Sequence, residues 1–149
     1  FTNPTRDRHR ARELQLLIEK ETSIVLVNPF YNNVGEPTAE IKALDRNEKH
    51  SVSNAEIVQT DLKSILEHDG VVGFITNESS WGSISEVFYS FKMLGKPTYL
   101  IFDPATRGDC SFCGTTNPNN PDHPWAEQHC SRIFGTVEGF IAFAKEKLV

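Results

Sequence analysis

At 149 residues, with 38% hydrophobic, 10% aromatic and 23% charged side chains, the sequence has the length of one domain and the composition of a chain that folds around a core. Collagen-like, fibrous and disordered classes are excluded. With 20 acidic against 15 basic residues the net charge is -5, so nothing drives it generally toward nucleic acid polymer or an anionic membrane, and any anion recognition has to be local.

Taken in chain order, residues 4–20 place Ala11, Leu14, Leu17 and Ile18 at helical spacing behind Pro4, which suits a first helical turn. The β-branched run 23–27 ends in Asn28-Pro29 and predicts a buried strand, followed by a loop over 30–37. A short helix is expected over 39–44. A stronger one is expected over 54–67, where Ile57, Val58, Leu62, Ile65 and Leu66 form a stripe. The continuous apolar run 70–76 predicts a strand covered on both faces. After the loop NESSW, residues 82–94 predict a helix turning Ile84, Val87, Phe88, Phe91 and Leu94 inward, and 96–102 the next strand. Residues 103–130 interrupt this rhythm with prolines, asparagines and cysteines. Residues 131–134 and 136–148 then read as a short strand and a closing helix packing Val137, Phe140, Ile141, Ala144 and Leu148. Alternating helices and buried strands predict an α/β domain with a parallel sheet and right-handed crossovers.

Asp61 lies on the apolar stripe of the 54–67 helix, between Ile57 and Ile65. An unpaired buried carboxylate is costly, so this one needs a hydrogen-bonding partner or a chemical role, unless the position reaches solvent at the sheet edge. Glu86 is expected in the first turn of the next helix, at the carboxyl edge of the sheet, where open α/β sheets bind ligands and the helix dipole favours ionisation. Such a carboxylate can attack or stabilise an oxocarbenium-like sugar centre. Ser83-Ile84-Ser85-Glu86 also matches a capping box in which the glutamate only reaches back to the N-cap amide. Ser79, Ser80, Gly82 and Ser83 can form a phosphate cradle at that helix start, or an ordinary turn.

The order of these motifs resembles the nucleoside 2-deoxyribosyltransferase superfamily: Thr60-Asp61-Leu62 on a helix, an apolar strand, S-x-G-x-x-x-E ending at Glu86, then a helix and Gly95-Lys96-Pro97 opening a strand. The resemblance covers residues 54–102, with weaker agreement over 1–17 and in the final helix. It implies a flavodoxin-like three-layer sandwich with a mainly parallel sheet of about five strands, the first of them expected to precede Phe1. It implies an N-glycosidase in which Glu86 acts at the anomeric carbon and Asp61 contacts the sugar and handles protons. Ser80, six residues before the glutamate, is closest to the 2'-deoxynucleoside 5'-phosphate N-hydrolase branch, where a serine binds the 5'-phosphate; the transferases of free nucleosides carry an aspartate there. A hydroxyl beside helix amides accepts a dianion that a carboxylate would repel.

The expected activity is hydrolysis of a (deoxy)nucleoside 5'-monophosphate to free base and sugar 5-phosphate. The alternatives are base exchange on free deoxynucleosides and a non-catalytic nucleotide sensor. Arg6 or Arg8 is a candidate phosphate ligand, against the reading that the early arginines form a solvated surface. Trp81, Phe30 and Tyr31 are candidates for stacking on a base, although loop aromatics often pin their own loop. The resemblance also implies a homodimer or higher homo-oligomer, with the helices starting near Asn54 and Gly82 at the interface. In the insertion over 103–130, Cys110, Cys113, His123 and Cys130 have the ligand types for a closed structural zinc site, with free thiols as the alternative; no cofactor is expected in catalysis. Without a membrane span or signal peptide, and with three cysteines, the expected location is cytoplasmic and the expected partner a small molecule.

Overall fold

A computed structural model describes residues 1–76, 81–103 and 124–148. A 3-10 turn at Thr5–Asp7 leads into α1 (Arg8–Glu21), followed by α2 (Ala39–Asp45), α3 (Asn54–Glu67), β1 (Val71–Ile75), α4 (Trp81–Phe88), a π-helical turn at Tyr89–Met93, β2 (Thr98–Phe102), α5 (Pro124–Glu127), β3 (Arg132–Phe134) and α6 (Val137–Lys147). The predicted helices and the last three predicted strands therefore form, with ends within a few residues of those expected.

The described sheet has three strands in the order β1-β2-β3, all parallel, with Val71 opposite Thr98 and Tyr99 opposite Arg132. Side chains alternate across it. Val72, Phe74, Ile101 and Phe134 pack with Ala11, Ile18, Phe140 and Ala144 from α1 and α6. Val71, Ile75, Leu100 and Phe102 pack on the other face with Ile65 and Val87 from α3 and α4. Burial on both faces explains why the strands read as continuous apolar runs. Helices thus cover both sides of a parallel sheet, an α/β arrangement compatible with a flavodoxin-like fold. No helix among the described residues is long and apolar enough to cross a membrane.

Local chemistry fixes the helix ends. Ser53 and Glu56 form a reciprocal capping box at the start of α3. At its other end the Lys96 ammonium donates to the carbonyls of Ile65, Leu66 and His68 at 2.8, 2.8 and 2.6 Å, a cation placed where the helix dipole is negative. Thr38 and Thr136 cap α2 and α6.

Three expectations change. Residues 23–27 do not form a strand: Leu26 N donates to Glu19 Oε1, and Leu26 O accepts from Gln15 Nε2, so α1 side chains satisfy backbone groups that a ladder would otherwise pair. The apolar stripes are also narrower than predicted, with Val58, Leu66, Ile84 and Phe88 exposed while Gln15 is fully buried by its bonds to Leu26 and Asn28. Finally, Ser83 and Glu86 make no capping box. Ser83 is the third residue of α4 rather than its N-cap, and Glu86 falls in the second turn.

Candidate active site

The site forms where β1 and α1 meet. Gly73 lets the chain start approach closely: Thr2 N donates to Val72 O and Phe74 N to Thr2 O, both at 2.9 Å, and a Cβ on Gly73 would lie 3.3 Å from the Thr2 methyl and 3.0 Å from Leu100. This parallel bridge brings Thr2 to α4, where its Oγ1 lies 2.9 Å from the buried Ser83 hydroxyl. At the carboxyl end of β1, the Thr76 hydroxyl donates to Asp7 Oδ2 at 2.6 Å and ties down the start of α1.

Above these contacts opens a cleft of about 530 Å³. It is lined by residues 1–6, by Asn28, Pro29 and Phe30, and by Asp61 from α3 and Glu86 from α4. A ligand crevice at the carboxyl edge of a parallel sheet follows from this topology.

Asp61 and Glu86 hydrogen-bond to each other through their carboxyl groups. Burial, then the Glu86 charge and the hydrogen bond to Glu86, push Asp61 from 3.8 up to about 7. Burial also raises Glu86, opposed by a hydrogen bond from the Thr2 hydroxyl and by the bond from Asp61. Two carboxyls this close cannot both ionise cheaply, so near neutrality they share one proton, held by Asp61. Thr2 has one hydroxyl proton and two acceptors in reach, Ser83 Oγ and the Glu86 carboxylate. The charged oxygen is the stronger acceptor, so the Thr2 proton turns to Glu86. One protonated and one ionised carboxyl in a cleft can supply an acid and a nucleophile to the same bond.

Of the residues singled out in the sequence, Asp61, Glu86, Gly82, Ser83, Trp81, Arg6 and Phe30 line the cleft together. Asp61 gains the partner that the stripe argument required. Arg8 and Tyr31 do not line the cleft. The Arg8 guanidinium binds Asp45 at 2.7 and 2.9 Å, and Tyr31 lies under the Arg12 guanidinium at 4.2 Å while bridging Pro37.

Ser80, Cys110, Cys113 and His123 lie outside the described residues. Cys130 is buried, donates to Ala126 O at 3.3 Å, and has its thiol pushed up to about 11 by burial and the nearby Glu127 charge. Among the described residues, no group of three or more His, Cys, Asp or Glu is placed to hold a metal ion. Sequence reasoning missed Thr2, Asn3, Asn28 and Glu40 in the cleft lining. Only the Asn28-Pro29 pair, which ends an extended run, carried a signal.

Compared with known proteins, the chain matches no family model, no curated protein and no solved structure at a significant level.

Proposed function

We propose that the protein hydrolyses the N-glycosidic bond of a (deoxy)nucleoside 5'-monophosphate. The observation that carries this reading is the Asp61–Glu86 pair, one carboxyl protonated and one ionised, in a cleft at the carboxyl edge of the sheet. Glu86, oriented by Thr2, attacks the anomeric carbon as the bond to the base breaks, and Asp61 gives its proton to the departing base. Water then cleaves the glycosyl ester: its hydroxyl joins the anomeric carbon, its proton goes to Asp61, and Glu86 is freed as carboxylate. The products are free base and sugar 5-phosphate.

Arg6, lining the cleft from the 3-10 turn that leads into α1, supports an anionic substrate, and Ser80 is the further phosphate ligand on this reading. On the same reading residues 1–3 are the end of a further strand of the flavodoxin-like sheet, and the parallel Thr2–Gly73 bridge supports that placement.

The test is a set of nucleosides and their 5'-monophosphates, each incubated with and without an acceptor base and assayed for released or exchanged base. Release from monophosphates that disappears in Glu86→Ala is the expected result. Exchange confined to free nucleosides would assign a deoxyribosyltransferase, and binding without turnover a nucleotide sensor.

A further inference from the structure

Two side chains of α1 act on the cleft wall without lining the cleft. Gln15 is polar yet only 1% exposed, in line with the buried Ala11 and Ile18. Its amide is engaged at both ends: Nε2 donates to Leu26 O at 2.7 Å, and Oε1 accepts from Asn28 Nδ2 at 3.1 Å. Asn28, 3% exposed, passes the constraint on, since its Oδ1 accepts from Phe30 N at 3.1 Å and its backbone carbonyl from Tyr31 N at 3.0 Å. Asn28 and Phe30 both line the cleft. Nearly one turn earlier on α1, the Arg12 guanidinium covers the Tyr31 ring at 4.2 Å, and Tyr31 in turn bridges Pro37 at the far end of its loop. Arg12 and Gln15 are three residues apart, so they project from one face of the helix. Neither is part of the cleft lining.

A buried amide costs free energy unless it is hydrogen-bonded, and an apolar side chain of the same volume would fill this place as well. What glutamine adds is its two hydrogen bonds, and what those fix is the place of Asn28 and, through it, of Phe30. We propose that Gln15 and Arg12 are positioning residues for the substrate: they hold the Asn28–Phe30 wall in its binding arrangement before the substrate arrives. A wall ordered in advance spares the substrate the free energy of ordering it. The reacting carboxyls stand on other elements, α3 and α4, so loosening the wall weakens binding and leaves the chemical step in place. The inference rests on the hydrolase reading and adds to it two residues outside the cleft that set its affinity.

The test measures KM and kcat for base release from the 5'-monophosphate that the wild type cleaves fastest, well below the melting temperature of each protein. The variants of the full chain are Gln15→Met, Arg12→Met, Tyr31→Phe, Asn28→Ala and the double variant Gln15→Met/Asn28→Ala. Methionine keeps most of the glutamine's volume and breaks both of its bonds. KM should rise about tenfold in Gln15→Met, the scale of one or two hydrogen bonds, and about threefold in Arg12→Met, the scale of a partly exposed cation–π contact, with kcat within about twofold of wild type. Because Gln15 acts through Asn28, adding Gln15→Met to Asn28→Ala should raise KM by less than about twofold more. A glutamine that only filled the core would change the melting temperature and leave KM where it was. Arg12 is partly exposed, and Tyr31→Phe retains the ring and should retain KM, so this pair carries the test if Gln15→Met does not fold. An unchanged KM in the folded variants, or effects of Gln15→Met and Asn28→Ala that simply multiply, overturns this inference and leaves the hydrolase reading standing. No base release by the wild type from any monophosphate overturns both.

Discussion

Replacing Asp61 by Asn tests the shared-proton pair through stability alone, without a substrate. In the folded protein Asp61 keeps its proton to about pH 7, whereas unfolded it ionises near 3.8. Between those values the folded state binds a proton that the unfolded state has lost. Stability therefore falls as pH rises through this window and stays lower above it. A displacement of this size corresponds to about 4 kcal/mol at about 1.4 kcal/mol per pH unit. Asp61 is partly exposed, and solvent screening reduces the figure to about 2 kcal/mol. Asparagine keeps the shape and cannot ionise. Relative to wild type, Asp61→Asn should therefore gain about 2 kcal/mol between pH 4 and pH 8, or about 4–8 °C in melting temperature for a chain of this size. Urea unfolding of both proteins across that range measures it. Stability curves that run parallel from pH 4 to pH 8 would refute the shared proton.

Glu86→Gln should lower base release by about 10³-fold or more while calorimetry still detects nucleotide binding, because the nucleophile is lost and the cleft kept. Thr2→Val removes the donor that holds Glu86 down, so the acid limb of the kcat/KM profile should move to higher pH and the rate fall about tenfold, the worth of one charge-assisted hydrogen bond. An unchanged acid limb would count against the Thr2–Glu86 bond. Gly70→Ala tests the entry to β1: its Cβ would lie 2.2 Å from Pro97 O, the acceptor of Val71 N at 3.0 Å. The backbone has to shift, and chemical denaturation should show a loss of about 2 kcal/mol or more.

The boundaries of α3, β1, β2 and α6 were legible because short-range rules set them. The stripe of Ile57, Leu62 and Ile65, the all-apolar run of β1 and the Ser53–Glu56 and Thr136 caps each act within a few residues. Residues 23–27 misled because β-branched composition signals extended backbone but not a partner strand, and here α1 supplies the hydrogen bonds. Glu86 was ambiguous for a related reason. S-x-x-E is a capping box only when the serine is the N-cap, and that depends on where α4 begins.

The sequence by itself determined the α/β class, the order of the elements and the choice of Asp61 and Glu86 as the carboxyls to follow, since periodicity and residue type are local properties. Only the tertiary structure decided that these two share a proton, that Thr2 orients one of them, and that Arg8 and Tyr31 lie elsewhere. Those outcomes depend on burial and on distances between residues far apart in the chain, such as Thr2 and Ser83, which take their values only once the sheet has brought the segments together.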